Sequence, residues 1–218
     1  MNQRKQIRMD QLTQAESTPV DVVVIGGGIT GAGCLLNASE RNLRGLLLEQ
    51  NDYSSGTSWA STKLIHGGLR YLETFDFKLV FESCKERKRL LKEAPDLTHR
   101  LEFLFPIYKG QRRGLWTVWM GTWLYYVLSF FWNLGTPTRH GSKGTLELEP
   151  EIEKENLEGS VVYADAQTSD SQLTVSTILS ACDLGGMALN YVKVKRIEDL
   201  SKSLKRFMFW IEFQEKNL

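Results

Sequence analysis

The alternation of apolar and polar positions in the first fifty residues predicts a strand, a helix and a second strand. Residues 20–25 are a β-branched run that stops abruptly at the three glycines of residues 26–28. A helix is expected from there to about residue 41, and the apolar run at residues 44–49 predicts a second buried strand. Residues 1–19 are polar and lack the apolar core of a secretory signal, so we expect a mobile leader on a chain that begins inside the cell.

The rest of the chain predicts further helices and strands. Asp76 is expected to cap a helix over residues 77–94 that Pro95 ends, and the basic run at residues 85–89 should lie mostly on its solvent side. Residues 141–159 are polar and predict a surface excursion. The remaining predictions are strands over residues 101–108, 161–163, 189–194 and 204–213, and a helix over residues 170–184 that Asp170 caps and Gly185 ends. The strand at 189–194 is expected to return to the sheet of the first two strands.

Composition indicates a globular protein and removes several classes of function. Of the 218 residues, 42% are hydrophobic, which is enough to form a buried core, and 24% are charged. The net charge is +1, so binding to nucleic acid through its phosphates is not expected. The three cysteines, Cys34, Cys84 and Cys182, have the spacing of neither a disulfide framework nor a metal site. This usage favours the reducing cytosol and predicts no metal.

The glycines after the first strand form a dinucleotide-binding fingerprint. Gly26, Gly28 and Gly31 satisfy the GxGxxG pattern, which requires a tight turn, close approach of the backbone to a pyrophosphate, and close packing of helix on strand. Glu49 ends the second strand 21 positions after Gly28, the spacing at which a carboxylate binds ribose hydroxyls. A strand–helix–strand unit that holds no cofactor is the alternative, and the fingerprint does not distinguish NAD from FAD.

A run rich in hydroxyls follows at residues 52–73, where a nicotinamide-binding fold would continue with a helix. Serine and threonine hydroxyls suit a pyrophosphate, and the pair Gly67 and Gly68 has no Cβ to keep the backbone away from a flat ring. On composition alone, a plain surface loop is equally compatible with this run.

Four segments together resemble one family. They are DVVVIGGGITGAG at residues 21–33, TSWASTKLIHGGLRYLE at 57–73, GSVVYADAQT at 159–168 and GGMALNY at 185–191. The chain resembles the FAD-dependent glycerol-3-phosphate dehydrogenases, flavoproteins of the family that also contains D-amino-acid oxidase and glycine oxidase. The resemblance implies that FAD is the cofactor and that sn-glycerol 3-phosphate is oxidised to dihydroxyacetone phosphate, with electrons passing to membrane quinone. Use of oxygen as acceptor, and an inactive truncated flavoprotein remnant, are the alternatives.

The resemblance also assigns the site residues. The residues assigned to the cofactor are Gly26, Gly28, Gly31, Glu49, Thr57, Ser58, Ser61, Lys63, Leu64, Gly67 and Gly68. Arg70 resembles the arginine that reaches the substrate, where its forked donors suit a phosphate, and a salt bridge with a nearby carboxylate is its structural alternative. His66 could orient the substrate beside the flavin or accept the proton of the substrate hydroxyl. A purely structural role is the alternative for this histidine.

The resemblance implies an α/β fold in which a Rossmann-like FAD-binding domain is interleaved with an α+β substrate domain. The expected domains are a leader at 1–19, a FAD-binding domain at 20–100 and 160–200, and a substrate- or membrane-facing insertion at 101–159. Residues 201–218 are expected to start a segment that breaks off, since members of the family are much longer. We therefore expect an incomplete fold that a second chain completes, or a homo-oligomer.

One long segment has the character of a membrane contact. Residues 114–138 contain no charged residue and are rich in tryptophan, tyrosine and phenylalanine along their whole length. This distribution favours a helix at the headgroup boundary, with a buried or partner-facing helix and a true span as alternatives. The expected location is therefore the cytoplasm, with peripheral attachment to the inner face of the membrane.

The chain departs from the family pattern at two places. Residues 169–172 are Ser-Asp-Ser-Gln where the family has Asp-Asp-Ala-Arg, so Gln172 replaces a guanidinium. Trp59 stands where the family has a small hydroxyl residue, and its indole is expected to crowd the pyrophosphate loop.

Overall fold

A computed structural model describes residues 3–66, 69–129, 134–199 and 205–211 of the chain. The chain forms two compact units, and the first consists of Met1–Thr62 together with Asp170–Leu218. The second unit is the continuous stretch from residue 63 to residue 169. The unit boundaries therefore fall at 62/63 and 169/170, whereas the sequence places domain boundaries at 100/101 and 159/160.

The elements follow one another along the chain in a mixed α/β order. They are α1 (Gln3–Ser17), β1 (Val22–Ile25), α2 (Ile29–Glu40), β2 (Gly45–Leu48), β3 (Leu64–Ile65), a 3₁₀ helix (Leu69–Thr74), α3 (Phe77–Glu93), β4 (Thr98–Tyr108), α4 (Leu115–Leu128), β5 (Thr138–Gly141), α5 (Ser142–Leu148), β6 (Leu157–Thr168), α6 (Asp170–Asp183), β7 (Met187–Leu189), β8 (Val192–Asp199) and β9 (Lys205–Ile211).

The first unit is built on a parallel sheet in the order β1-β2-β7. All four residues of the central strand β2 are buried, as expected for a parallel strand that is covered on both faces. Leu47 packs on one face with Leu35 of α2 and Ile178 of α6. Leu46 and Leu48 point to the opposite face, because successive side chains of a strand alternate.

Helix α1 covers that opposite face, and the prediction of a mobile leader is wrong for the described residues from 3 onward. Leu12 and Ala15 are buried in the same cluster as Leu46 and Leu48. The Arg8 guanidinium also donates a hydrogen bond to the carbonyl of Asn190. A polar segment therefore folds as a helix because it buries two apolar residues against the sheet.

The predicted strand at residues 189–194 is divided in two. Strand β7 pairs with β2 in the parallel sheet, whereas β8 pairs antiparallel with β9. The reason lies at Tyr191, which adopts a left-handed φ of 54° and turns the chain out of the parallel sheet. The Val192 N–H then donates to the carbonyl of Glu49, so β8 starts beside the end of β2.

The second unit contains a sheet in the order β3-β6-β4, with β5 also pairing with β6. Strands β4 and β6 pair antiparallel along nearly their whole lengths, so the short strand predicted at 161–163 extends over twelve residues. The predicted surface excursion at 141–159 is wrong in part because it contains α5, whose Thr145 is buried and donates to the Ser160 hydroxyl at 2.9 Å. Because β3 pairs with β6, residues 64–65 belong to this unit.

Helix α3 begins and ends where the sequence predicts. The Asp76 carboxylate accepts a hydrogen bond from the Leu79 N–H at 3.1 Å, and the helix ends at Glu93, two residues before Pro95. The prediction of a solvated basic run is wrong at one position, since Arg87 is completely buried.

Candidate dinucleotide site and neighbouring polar clusters

The glycine turn after β1 has the geometry that the fingerprint requires. Gly26 has a φ of +110°, a backbone conformation that side chains rarely permit. A Cβ on Gly31 would lie 1.9 Å from the Gly26 carbonyl oxygen, so only glycine allows α2 to pack this closely on the turn. Gly28 precedes the first residue of α2 and provides no side-chain cap, so the first turn of the helix keeps its N–H groups for other acceptors.

Glu49 lies directly after β2 and faces the glycine turn. Its carboxylate accepts hydrogen bonds at 2.7 Å from the N–H of Gly27 and at 2.7 Å from the N–H of Asn51. A carboxylate has about four acceptor positions. These two bonds therefore leave capacity to accept from ribose hydroxyls.

A shallow cavity of about 190 Å³ opens at the carboxyl ends of β1 and β2. It is lined by Ile25, Gly26, Leu48, Glu49, Gln50, Val192, Lys193 and Val194. Ligands of open parallel sheets bind outside the carboxyl ends of the strands. The cavity is smaller than the roughly 300–1,000 Å³ of a whole small-molecule site, so it is too small to enclose a complete dinucleotide. The sequence did not predict that β8 lines this cavity, because residues 192–194 were expected inside the parallel sheet.

The serine loop, residues 52–62, lies between β2 and the end of the first unit's N-terminal segment. The Ser58 hydroxyl oxygen accepts from the Ile29 N–H at 3.2 Å, in the first turn of α2. The Ser61 hydroxyl donates to the Asp170 carboxylate, and Thr57 lies in the exposed part of the loop. Trp59, the residue expected to crowd the loop, is 60% exposed.

The other predicted site residues belong to the second unit. Lys63 has a left-handed φ of 58°, and its carbonyl accepts from the Thr168 N–H at 3.0 Å. Leu64 is in β3, and His66 follows that strand and is exposed. Gly67 and Gly68 lie outside the described residues, as does the side chain of Arg70, whose backbone is part of the 3₁₀ helix.

A buried polar cluster in the second unit was not predicted from the sequence. Arg87 of α3 donates to the Asp165 carboxylate of β6 at 2.5 Å and to the Tyr125 hydroxyl of α4 at 2.8 Å. The Tyr125 hydroxyl donates to the second Asp165 oxygen at 3.2 Å. Val80, Cys84 and Arg87 are all buried on one face of α3. Their spacing of four and three residues was the signal in the sequence that Arg87 shares the buried face.

Burial shifts the pKa values of the acidic groups around Arg87. It raises the pKa of Asp165, while the charge of Arg87 and the hydrogen bonds from Arg87 and Tyr125 oppose that rise. Burial also raises the pKa of Tyr125 and the pKa of Cys84. The three elements α3, α4 and β6 are therefore joined through one ion pair in a region of low dielectric.

Helix α4 buries one face and exposes the other. Thr122 and Tyr125 are buried, whereas several large apolar side chains are exposed. The exposed set, called here the α4 apolar face, is Trp116, Met120, Trp123, Leu124 and Val127. The Arg139 guanidinium lies 3.7 Å from the centroid of the Trp116 ring. No helix among the described residues has the length and apolar character to cross a membrane.

The first unit fits a bound dinucleotide. Its first helical turn presents N–H groups beside glycines that keep side chains out, and its acidic residue lies at the end of the next strand. Among the residues that the structure describes, no group of three or more His, Cys, Asp or Glu side chains could hold a metal ion.

Comparison with known proteins gives one consistent family. A model of the DAO family, FAD dependent oxidoreductases, matches residues 21–206. The glycerol-3-phosphate dehydrogenase of Synechocystis is 41% identical over 191 residues, covering 87% of this chain and 34% of that protein. The aerobic glycerol-3-phosphate dehydrogenase of Bacillus subtilis is 38% identical over 186 residues, covering 85% of this chain and 34% of that protein.

The fold agrees with that comparison. The glycerol-3-phosphate dehydrogenase of Bacillus halodurans, solved in complex with FAD, superposes with a TM-score of 0.66 at 33% identity, covering 88% of this chain and 30% of that chain. The L-α-glycerophosphate oxidase of Mycoplasma pneumoniae, solved with FAD bound, has a TM-score of 0.64 at 15% identity, covers 87% of this chain and 49% of that chain, and so shares the fold. The chain spans about a third of the length of the curated relatives that it matches. Because the family model covers most of its length, the chain belongs to the DAO family of FAD dependent oxidoreductases.

Proposed function

We propose that this chain binds FAD through its first unit and forms part of a glycerol-3-phosphate dehydrogenase. The observation that carries this proposal is the agreement of two features. The glycine turn has the steric form of a dinucleotide site, and the relatives that are 38–41% identical over most of the chain are named glycerol-3-phosphate dehydrogenases.

The residues of the first unit would hold the dinucleotide. Glu49 would accept hydrogen bonds from the ribose, and the first turn of α2, next to Gly28, would donate N–H groups to the pyrophosphate. The Ser58 hydroxyl, which now accepts from the Ile29 N–H, would give way to a phosphate oxygen. FAD, when bound, supplies the acceptor for the hydride of the substrate.

The residues of the second unit would act on the substrate. His66 is exposed directly after β3, where its imidazole could accept the proton of the glycerol hydroxyl that is oxidised. Arg70 would bind the substrate phosphate, because a guanidinium donates two parallel hydrogen bonds to phosphate oxygens. The cofactor assignments of Thr57, Ser61, Lys63, Leu64, Gly67 and Gly68 follow the resemblance and belong to the same proposal.

We further propose that the electrons pass to quinone and that the α4 apolar face rests on the cytoplasmic membrane surface. Five large apolar side chains are exposed along this one helix, and tryptophans are suited to the headgroup region. The part of the relatives that this chain does not span would complete the substrate side, in the same polypeptide or from a second chain or copy.

Anaerobic reduction of the bound flavin tests the activity. The chain is loaded with FAD, freed of excess cofactor and mixed with sn-glycerol 3-phosphate, with glycerol as the matched compound that lacks the phosphate. Bleaching of the flavin by the phosphate ester alone supports the proposal, whereas no bleaching by either compound contradicts it for this chain. Readmission of oxygen then tests the acceptor, because rapid formation of peroxide would identify an oxidase.

A further inference from the structure

The first two residues of α6 hold the serine loop at both ends. Ser54 is 2% exposed, and its hydroxyl donates to the Ser171 hydroxyl at 3.2 Å. At the far end of the loop, the Ser61 hydroxyl donates to the Asp170 carboxylate. The Ser54 N–H also donates to the Gly27 carbonyl at 2.9 Å, which ties the loop to the glycine turn.

The part of the loop between these two anchors lies over the first turn of α2. Ser58 stands there with its hydroxyl oxygen 3.2 Å from the Ile29 nitrogen. Helix α6 is itself fixed against α2, because Ile178 and Ala181 are buried in one cluster with Leu35. The start of α6 is therefore a rigid support for the serine loop.

We infer that Asp170 and Ser171 are positioning residues that hold the serine loop at the pyrophosphate end of the dinucleotide site. This inference rests on the proposed binding of FAD. Neither residue touches the cofactor in this role. Asp170 acts through Ser61, and Ser171 acts through Ser54.

The geometry also revises the role of Ser61. A serine hydroxyl has one proton to donate, and in this structure that proton goes to Asp170. A phosphate oxygen needs a donor, so Ser61 supports the loop and leaves the contact with the pyrophosphate to the N–H groups in the first turn of α2. Ser171 is the second anchor, because its hydroxyl accepts the hydrogen bond of Ser54 at 3.2 Å.

Three variants and one control test the inference in the full 218-residue chain. Asp170→Ala removes the acceptor of Ser61, Asp170→Asn keeps an amide oxygen that can accept the same bond, and Ser171→Ala removes the acceptor of Ser54. Asp183→Ala is the matched control, because it removes an exposed carboxylate from the last residue of the same helix. The readouts are amide hydrogen exchange of residues 54–61 without cofactor, the dissociation constant for FAD, and the urea midpoint of unfolding.

A hydrogen bond to a charged group contributes enough that Asp170→Ala should weaken FAD binding by roughly tenfold or more. Ser171→Ala should weaken it about threefold, as expected for a neutral bond. Asp170→Asn should weaken FAD binding less than Asp170→Ala, by about threefold, because it keeps a neutral bond to Ser61. Asp183→Ala should leave the affinity unchanged. Exchange of the loop amides should increase in Asp170→Ala while the urea midpoint stays close to that of the wild type.

The inference is overturned if loop exchange and FAD affinity in Asp170→Ala equal those of the wild type. It is also overturned if Asp170→Asn loses as much affinity as Asp170→Ala, because the charge at the helix end would then explain the effect. If the wild-type chain does not bind FAD, the proposed function fails. The exchange data without cofactor then still decide whether Asp170 and Ser171 hold the loop. If Asp170→Ala does not fold, Ser171→Ala and Asp170→Asn carry the same test.

Discussion

At the scale of single residues, two glycines of helix α2 differ in whether the structure leaves room for a Cβ atom. A Cβ at Gly31 would meet the Gly26 carbonyl oxygen at 1.9 Å, whereas a Cβ at Gly33 would meet nothing within 4 Å. We expect Gly31→Ala to abolish FAD binding, because the turn must move away from α2. Gly33→Ala should bind FAD normally and stabilise α2 by about 0.5–1 kcal/mol. Fluorescence titration with FAD measures the affinity of the two variants for the cofactor. Equal affinities would contradict the proposed site.

The buried arginine of α3 gives a second prediction at this scale. Arg87→Met leaves Asp165 buried without its cation, which should lower the free energy of unfolding by about 3–5 kcal/mol. Arg89→Met, two positions along the same helix, removes an exposed pair with Glu93 and should cost about 0–1 kcal/mol. Urea unfolding compares them, and a similar loss in the two variants would show that the buried cluster does not hold the second unit together.

At the scale of elements, the exposed face of α4 can be tested against a matched helix. Met120 and Leu124 are 58% and 44% exposed on α4, and Leu179 and Val175 are 58% and 37% exposed on α6. Serine at both α4 positions should weaken co-sedimentation with anionic phospholipid vesicles severalfold, because each buried apolar side chain contributes to interfacial binding. Serine at both α6 positions should leave binding unchanged. If both pairs of substitutions reduce vesicle binding equally, the α4 apolar face is not the surface that contacts the membrane.

Elements with strong local signals could be predicted from the sequence. The run from β1 through the glycine turn to β2 was predicted because β-branched residues, glycines and an acidic end follow in order within thirty residues. Helix α3 was equally clear, because Asp76 and Pro95 mark its two ends. These signals arise from neighbouring residues, so no knowledge of tertiary contacts was needed.

The elements that were missed depend on contacts between distant parts of the chain. Among the side chains of α1 that the structure describes, Leu12 and Ala15 are buried. A helix with so few buried positions gives little sign in its sequence that it packs on a sheet. The burial of Arg87 depends on Asp165, which lies 78 positions away. The bonds from the serine loop to Asp170 and Ser171 span more than a hundred residues, and no local pattern predicts them.

At the scale of the whole molecule, the buried acids predict a loss of stability at alkaline pH. Burial raises the pKa of Cys84 and Cys182 above the ordinary value of 9.0, and that of Tyr53 and Tyr125 above 10.0. The unfolded chain therefore releases these protons at lower pH than the folded chain. Their contribution to stability is fully present below about pH 9 and is lost as the pH rises through the folded pKa values.

Urea unfolding at a series of pH values measures this dependence. The free energy of unfolding should fall steadily from pH 9 upward, and Tyr125→Phe should reduce the slope by removing one of the groups. A free energy that stays constant or increases between pH 9 and pH 11 would show that these groups titrate alike in the folded and unfolded chains.

The proposed function depends most directly on whether this chain binds FAD. The 218-residue chain is mixed with excess FAD, separated from free cofactor by gel filtration, and scanned in the visible range. We expect flavin absorbance that elutes with the protein at about one FAD per chain and that is lost in Gly31→Ala but retained in Gly33→Ala. A folded chain that elutes without flavin, or a Gly31→Ala variant that keeps it, would show that the glycine turn is not an FAD site.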